Sequence, residues 1–433
     1  MRIALSEWRL APDLVGQYAA ARKISGADAE AGIRQLGERV QKSLHLKKSP
    51  LEISTSGVIA KGIAGVVGLD RDFEVEIAPK YAATDGEHWR QDLLFMSMLS
   101  KHGNLLLQNY IRATSSTVND LTALVAQVFL RMFNGNRRAP LKTYRFTQFT
   151  DFALDGEFDP EDLLLPEADG FTQHHYDFDT NNEYSATVKA AVVELSGRVR
   201  DPALYSRLRA VSAQLTSVTA APSSTRRTLP ARLRRWQALY DLSFDVARGF
   251  GLSPGDSLHR IPGFVVSTWQ LWQDLVGRSL VLALGGNAAI LQHEYGVGHS
   301  RRNGKVTRVG VTPDAVLVDR TPPLVVDAKY KGRMDTDNDG ISTPDFYEVL
   351  AFMRAASAKH AVLVYPATNA VPGRTGSTEV LERVDMDNGE VLWAVAIEVN
   401  GISATGGFAD FVKGLKSQLQ ALSPSAQPIA ALL

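Results

Sequence analysis

The stretch that decides the fold of this chain is Val311-Thr-Pro-Asp-Ala-Val-Leu-Val-Asp-Arg-Thr-Pro-Pro-Leu-Val-Val-Asp-Ala-Lys-Tyr330. A Pro-Asp pair opens one apolar run, a polar turn with two prolines follows, and a second apolar run ends in Asp-Ala-Lys. Short apolar runs bounded by turn residues are typical of strands, so the stretch predicts a β-hairpin. Side chains at i and i+2 of a strand share a face, so we expect Asp327 and Lys329 to project together. Asp314, on the paired strand, can reach the same place.

Two carboxylates and a lysine at one strand end form a group with recognisable chemistry. Carboxylates hold hard divalent cations such as Mg²⁺ through oxygen ligands. A neighbouring lysine can position or deprotonate a water, and the metal stabilises charge on a phosphodiester. We therefore interpret Asp314, Asp327 and Lys329 as the candidate catalytic residues of a metal-dependent nuclease. The alternative is a surface hairpin with a solvent-facing ion pair, but the fully apolar run Leu324-Val-Val326 favours a buried strand that ends in a site.

The segment after the hairpin predicts an amphipathic helix. In Thr343-Pro-Asp345, threonine can cap the helix, proline suits its first position, and aspartate favours the N-terminal dipole. Tyr347 and Glu348 lie off the apolar stripe of this helix, so they face either the site or solvent. Two further apolar runs, at 361–365 and 391–397, predict buried strands. The order strand, strand, helix, strand, strand suits a small α/β nuclease core.

Several separated segments carry a resemblance to a known family. They are Gly65-Val-Val-Gly68 through Val75-Glu-Ile-Ala-Pro-Lys80, Asp179-Thr-Asn-Asn-Glu-Tyr184, Gly263-Phe264 with Leu271-Trp-Gln-Asp-Leu-Val276, Asp314, Asp327-Ala-Lys329-Tyr330-Lys331 and Asp345-x-Tyr347-Glu348. The pattern resembles the PD-(D/E)xK nuclease superfamily and, more narrowly, the McrC family, the nuclease subunits of McrBC modification-dependent restriction systems. The resemblance implies an Mg²⁺-dependent DNA endonuclease with Asp314, Asp327 and the backbone carbonyl of Ala328 as metal ligands.

The resemblance also implies partners. Members of this family work with a separate McrB-type AAA+ ring that hydrolyses GTP or ATP, and this chain has no Gly-x-x-x-x-Gly-Lys-Ser/Thr motif of its own. We expect an N-terminal module to bind that ring and stimulate its hydrolysis while the C-terminal domain cuts double-stranded DNA. The sequence leaves open which modified base is recognised and whether the nuclease domains dimerise.

The helix that opens the nuclease domain departs from the family pattern. The family usually carries Phe-Glu there, and that glutamate can join the metal site, whereas this chain has Trp272-Gln273. An amide cannot supply the same charge, so we expect one firm Mg²⁺ site and a weak second one. Glu348, where the family often has Gln, or Glu294 could restore a carboxylate, and each also has an interpretation as a surface residue.

Composition narrows the class of protein further. Lys plus Arg equals Asp plus Glu at 47 each, so DNA contact would depend on local patches rather than on a global basic field. The absence of cysteine excludes disulfides and Cys-ligated zinc. No apolar run of about 18 residues predicts a membrane span, and no N-terminal signal segment is evident, so we expect a cytoplasmic protein.

The chain of 433 residues is long enough for two or three domains. We predict a small β-rich N-terminal module over residues 1–180 that binds the partner, and a helical bridge over 181–254. Residues 255–433 are predicted to form a C-terminal PD-(D/E)xK α/β core. The whole is thus expected to be a multidomain protein of mixed α+β and α/β class.

Two clusters of basic residues are candidates for DNA contact. One lies in a probable hairpin before the catalytic strand and continues after it: Arg301, Arg302, Lys305, Arg308 and Lys331. The other opens a helix in the middle of the chain: Arg226, Arg227, Arg234 and Arg235. Both could track phosphates. For the second cluster, a solvated helix face is an equally good interpretation.

Two other functions remain open at this stage. A non-catalytic adaptor that keeps the nuclease fold is supported by Gln273, but the clustered Asp314, Asp327 and Lys329 argue against it. A stand-alone DNA repair nuclease would not need the large N-terminal region. The presence or absence of an AAA+ partner discriminates that alternative from the first interpretation.

Overall fold

We describe the protein from a computed structural model. The described residues are 2–69, 73–82, 88–102, 121–157, 167–221, 223–247, 263–303, 305–330, 341–368 and 373–422. Among the helices in these ranges, none combines the length and apolar character needed to cross a bilayer.

The elements follow one another along the chain in this order. They are β1 (Arg2–Ser6), β2 (Leu10–Ala11), α1 (Leu14–Arg22), α2 (Gly26–Ser43), β3 (Leu51–Ser54), β4 (Gly57–Ala60), β5 (Ile63–Gly68), β6 (Glu74–Ala78), α3 (Trp89–His102), α4 (Leu121–Asn136), β7 (Thr143–Asp151), β8 (Phe171–Asp179), α5 (Glu183–Ser196), α6 (Pro202–Gln214), a 3₁₀ helix (Ala231–Trp236), α7 (Gln237–Ala247), β9 (Gly263–Ser267), α8 (Thr268–Leu284), β10 (Ala289–Leu291), β11 (Tyr295–Arg302), β12 (Lys305–Val311), β13 (Ala315–Leu317), β14 (Leu324–Ala328), α9 (Thr343–Ala355), β15 (His360–Pro366), β16 (Thr378–Asp385), β17 (Val391–Ile397) and α10 (Gly407–Ala421).

The chain forms two compact units, and one is inserted into the sequence of the other. The first unit comprises Met1–Leu121 and Gly251–Leu433, and the second comprises Thr122–Phe250. The first unit is closed by β5 and β9, which pair antiparallel from Ile63 opposite Ser267 to Val67 opposite Gly263. The units therefore differ from three consecutive domains at 1–180, 181–254 and 255–433, because strand pairing joins the first 121 residues to the last part of the chain.

The N-terminal part of the first unit is a mixed module rather than a purely β-rich one. Its four-stranded sheet has the order β1-β6-β5-β9, and β2, β4 and β3 form a second, three-stranded sheet. The module contains strands β3 to β6, but α1 and α2 precede them. Ser25 caps α2 by accepting a hydrogen bond from the Asp28 N–H at 3.1 Å. Ile33 and Leu36 of this helix are fully buried in one core with Val67 and Ile77 of the sheet.

The C-terminal part of the first unit is a six-stranded sheet of order β10-β13-β14-β15-β17-β16. The three central strands β14, β15 and β17 run parallel. They are apolar and largely buried, as expected for strands covered on both faces. The helix α9 packs on one face through Val349 and Met353. The helix α8 is anchored by Trp272, whose Nε1 donates to the Val364 carbonyl at 2.9 Å.

The second unit, over the residues that the structure describes, consists of helices and one long hairpin. Strands β7 and β8 pair antiparallel over nine residues each. The helix α5 is capped by Asn182, whose Nδ2 also donates to the Leu141 carbonyl at 2.9 Å. A boundary at residue 180 would therefore cut through this unit, because β7, β8 and the helix that follows belong together.

One face of the long hairpin carries exposed aromatic side chains. Tyr144 lies opposite Phe178, and Phe146 lies opposite Tyr176. All four are more than half exposed. The Arg232 guanidinium lies 5.0 Å from the Tyr144 ring centroid and 5.5 Å from that of Phe178. An exposed apolar face of this kind is typical of an interaction surface.

Candidate active site

The predicted hairpin is present and brings the two aspartates to one face. β13 and β14 pair antiparallel, with Ala315 opposite Val326 and Val316 opposite Val325. The next position in this register puts Asp314 opposite Asp327. Because alternate residues of a strand share a face, Asp327 lies on the same face as Val325, towards α9. The register therefore places Asp314 and Asp327 opposite each other at the end of one hairpin.

Asp314 is held by three hydrogen bonds. Its Oδ2 accepts from the Ala328 N–H at 2.8 Å. Its Oδ1 accepts from the Gln292 amide at 2.8 Å and also from the Gln273 amide. Burial and the negative charge of Asp327 raise the pKa of Asp314 to about 6. The carboxyl therefore sits where its own ionisation is costly unless a cation compensates.

Lys329 is surrounded by carboxylates. Its Nζ lies 2.8 Å from Asp327 Oδ2, 2.6 Å from Glu348 Oε2 and 3.6 Å from Asp345 Oδ1. Burial alone would lower the pKa of this ammonium group, but Asp327 and Glu348 outweigh it and raise the pKa above its ordinary value. In this arrangement the group is a cation and a hydrogen-bond donor.

The residues at this strand end fit a hard divalent cation. Asp327 is 4% exposed, and its Oδ2 lies 2.8 Å from the Lys329 ammonium group. The backbone N–H and carbonyl of a strand residue point to the same side, so the Ala328 carbonyl points to the side of Asp314. Two carboxylates and a carbonyl form an all-oxygen ligand set. Within the described part of the chain, no group of three or more His, Cys, Asp or Glu side chains is placed to hold a metal ion, so the Ala328 carbonyl would have to serve as the third ligand here.

The predicted supporting residues divide into two pairs. Gln273 faces the site and contacts Asp314, so the opening helix lies where the sequence predicted. Glu348 contacts Lys329 rather than the aspartates. Tyr347, in contrast, is 65% exposed. Glu294 is exposed, and its carboxylate lies over Gly310 of the β11–β12 hairpin. It therefore supplies no replacement for the missing glutamate.

Sequence reasoning missed one residue that touches the site. Gln292 follows β10, which pairs with β13 so that Leu291 lies opposite Ala315. Its backbone N–H donates to the Asp314 carbonyl at 3.1 Å, in addition to the side-chain contact. It adopts φ of 49°, the left-handed region. The pairing of β10 with β13 places residue 292 beside residue 314, but the three-residue β10 is too short to give a periodic signal in the sequence.

The basic residues before the catalytic strand lie on an exposed hairpin. Strands β11 and β12 pair antiparallel with His299 opposite Arg308 and Arg302 opposite Lys305. These side chains and Arg301 are all exposed. Since paired residues share a face, each face of the hairpin carries positive charge. Lys331 lies outside the described residues.

The second basic cluster is partly committed to contacts inside its own unit. Arg226 donates to Asp245 at 2.6 Å, and both Asp245 and Asp241 are buried. Arg235 donates to Asn136 and to a neighbouring carbonyl. All four arginines are exposed, and Arg227 pairs with Glu183 at 3.2 Å. Contacts within the second unit therefore explain the presence of Arg226 and Arg235 without any role in DNA binding.

A match between the sequence and a protein family identifies the class to which this chain belongs. Residues 58–366 match the family model described as "McrBC 5-methylcytosine restriction system component". The protein is thus a restriction-system component. Because the match covers more than half of the chain, the chain belongs to the McrBC family, and the resemblance found in the sequence is confirmed.

Solved structures agree at the level of the fold. The chain is similar to one in the "refined half-complex from tetradecameric assembly of Thermococcus gammatolerans McrB AAA+ hexamers with bound McrC", with a TM-score of 0.67 and 16% identity. That match covers 96% of this chain and 100% of the other. A second match, the cryo-EM structure of the Thermococcus gammatolerans McrBC complex, has a TM-score of 0.48 and 14% identity over 66% of this chain and 88% of the other. No curated protein matches the sequence.

Proposed function

We propose that this chain is the nuclease subunit of an McrBC-type restriction complex. It is an Mg²⁺-dependent endonuclease with a PD-(D/E)xK core that cuts double-stranded DNA in the cytoplasm when a separate McrB-type AAA+ ring activates it. The observation that carries the proposal is the convergence of Asp314, Asp327 and Lys329 at one strand end, with Asp314 opposite Asp327 and Lys329 Nζ 2.8 Å from Asp327 Oδ2. A site for a single, purely structural ion pair would not need the second, half-buried carboxylate of Asp314.

Each residue has a role that follows from its contacts. Asp314, Asp327 and the Ala328 carbonyl would hold Mg²⁺, which supplies charge stabilisation for the phosphodiester when bound. Lys329 carries a proton in its present surroundings. It therefore donates hydrogen bonds that orient the attacking water or the phosphate, rather than removing a proton. Gln273 and Gln292 fix the carboxylate of Asp314 through its Oδ1.

The substrate proposal follows from the exposed β11–β12 hairpin. Its base packs near α9, because Tyr295 and Val311 join the same core as the helix. Arg301, Arg302 and Lys305 lie at its far end and are exposed. Exposed positive side chains on a hairpin whose base joins the core of the site suit a phosphate backbone, and they carry no sequence information by themselves. Recognition of a modified base is therefore assigned to the partner.

The partner proposal follows from family membership and from the second unit. The solved relative named above contains AAA+ hexamers with bound McrC. This chain lacks a nucleotide-binding motif of its own. Within residues 1–180, the exposed aromatic face of the β7–β8 hairpin is the surface best suited to bury against such a ring, because aromatic side chains are enriched at protein interfaces.

The test is plasmid cleavage by purified full-length protein with an McrB-type ring, its nucleotide and Mg²⁺. Asp314→Ala, Asp327→Ala and Lys329→Ala should each abolish cleavage while the melting curve stays cooperative. Asp387→Ala, in an exposed turn, is the matched control and should cut normally. Wild-type cutting by any of the three site variants would refute the site.

One observation favours a second candidate, a non-catalytic adaptor of the ring. Gln273 occupies the position from which a third carboxylate would reach the metal, and its amide is already bonded to Asp314. The same assay separates the two functions. An adaptor would stimulate nucleotide hydrolysis by the ring, and the wild-type protein would leave the plasmid intact at every Mg²⁺ concentration.

A further inference from the structure

A buried glutamate next to β1 joins the two segments that deliver the site residues. Glu7 is 1% exposed and follows directly after the first strand of the chain. Its Oε2 accepts from the Tyr330 hydroxyl at 2.6 Å, and its Oε1 accepts from the Thr268 hydroxyl at 2.8 Å. Tyr330 directly follows the catalytic lysine, and Thr268 is the first residue of α8, the helix that carries Gln273. Glu7 therefore contacts both the strand and the helix of the site.

Lys80 completes this cluster from the end of β6. Its backbone N–H donates to Glu7 Oε2 at 3.1 Å. Its Nζ donates to the Tyr330 carbonyl and lies 4.6 Å from the centroid of the Tyr330 ring. Tyr330 is thus held at its hydroxyl, its ring and its carbonyl by residues from the first 80 positions of the chain.

These contacts lie beside the atoms that would do the chemistry. The Lys329 N–H donates to the Val364 carbonyl at 2.9 Å, and the Ala328 N–H donates to Asp314. With Tyr330 fixed as well, three consecutive residues of the strand end are held. Their positions set the direction of the Lys329 side chain and of the Ala328 carbonyl.

Another buried acid shows what a purely structural role looks like. Asp92 is also 1% exposed, and it accepts from the Gly401 and Ser403 N–H groups and from the Ser403 hydroxyl. None of these partners is a site residue or a neighbour of one. The contacts of Glu7 differ from those of Asp92. Of the two side chains that donate to Glu7, Thr268 begins the helix that carries Gln273, and Tyr330 directly follows Lys329.

We propose that Glu7 and Lys80 are positioning residues for the candidate nuclease site, acting through Tyr330 and Thr268. This inference rests on the proposed function. It makes the N-terminal segment part of the catalytic support as well as part of the partner-binding region. Groups that orient metal ligands from outside the ligand set typically change metal affinity or activity by about 10- to 100-fold when they are removed.

The experiment uses full-length variants that delete single contacts. Tyr330→Phe removes only the hydroxyl, Lys80→Met removes the ammonium group and keeps the aliphatic chain, and Lys80→Arg restores a donor. Glu76→Gln is the matched control, because Glu76 is a buried glutamate of the same sheet whose partner is Arg90 at 2.7 and 2.8 Å. Mg²⁺ binding is measured by calorimetry without DNA, and kcat and KM are measured on a supercoiled plasmid with an McrB-type ring.

We expect Tyr330→Phe and Lys80→Met to lower kcat and weaken Mg²⁺ binding by about tenfold or more, with KM for DNA nearly unchanged. Lys80→Arg should recover most of both losses. Glu76→Gln should lower the melting temperature and leave kcat and Mg²⁺ affinity near the wild-type values.

Two results would overturn the inference. One is wild-type kcat and Mg²⁺ affinity in both Tyr330→Phe and Lys80→Met. The other is an equal loss in Glu76→Gln, which would indicate a general effect of weakening the sheet. If Asp327→Ala is inactive while these variants are normal, only the positioning role fails. If Asp327→Ala cuts normally, the proposed function itself fails.

Discussion

Replacing Asp314 by asparagine should stabilise the metal-free protein while it abolishes activity. Burial and Asp327 raise the pKa of Asp314 from 3.8 to about 6, so the folded protein keeps this proton where the unfolded chain has lost it. The free energy of unfolding therefore falls as pH rises from 3.8 to about 6, and the loss is complete above that range. A shift of about two pKa units corresponds to about 3 kcal/mol. Asparagine does not titrate in this range. The free energy of unfolding of the variant should therefore exceed that of wild type by up to about 3 kcal/mol near pH 8, and the two should be equal near pH 4.

The local contacts allow this substitution. The asparagine carbonyl can accept from the Ala328 N–H, and the amides of Gln273 and Gln292 can turn to accept from its NH₂ group. Urea unfolding in EDTA at pH 4, 6 and 8, followed by tryptophan fluorescence, measures the difference. Asp387→Asn, in the exposed turn, is the control and should show none. Adding Mg²⁺ at a hundred times its dissociation constant should stabilise wild type by about 2.7 kcal/mol and the variant not at all. A difference that stays constant with pH, or a variant that is less stable at pH 8, would refute the reasoning.

Three other outcomes are expected. Gln273→Glu should tighten Mg²⁺ binding by about tenfold or more at pH 8, because it adds a carboxylate beside Asp314. Calorimetry measures the change. Unchanged Mg²⁺ affinity would show that residue 273 is not a metal ligand. Arg301→Glu combined with Arg302→Glu should raise KM for DNA and reduce the slope of log affinity against log salt by about 2 in a binding titration. Arg374→Glu, at an exposed position elsewhere, is the control and should change neither quantity. Equal slopes in the double variant and wild type would contradict the hairpin contact. A fragment of residues 255–433 should fail to give a cooperative melting curve, because β9 lacks its partner β5. Co-expression with residues 1–121 should restore cooperative melting. A fragment that folds well alone would contradict the closing role of this strand pair.

The hairpin that carries the site could be predicted because its signals are local. Two apolar runs, a turn between them and charges at fixed positions specify strands, register and shared face without reference to the rest of the chain. The same holds for α9, whose cap is Ser342 rather than the expected Thr343, one residue away. The start of this helix was predicted one residue too late because Ser342 and Thr343 are adjacent and both carry a hydroxyl that can cap a helix.

Long-range pairing could not be predicted in this way. β5 is an apolar strand that pairs with both β6 and β9, and nothing in its composition selects a partner about two hundred residues away. The contact of Arg226 with Asp241 and Asp245 was also missed, although acids at i and i+4 on one helix face do form a pair of acceptors. Gln292 was missed because its role depends on a three-residue strand too short to give a periodic signal.

The pairing of β5 with β9 also has a consequence during protein synthesis. A ribosome that makes about 5–20 residues per second needs roughly 10–40 s to pass from Gly68 to Gly263. Throughout that interval β5 has an open edge on one side, where a chaperone or another chain can bind. The sheet that supports Glu7 and Lys80 is closed only after Ser267 has emerged. A newly made chain therefore has no assembled candidate site until most of its length has been translated.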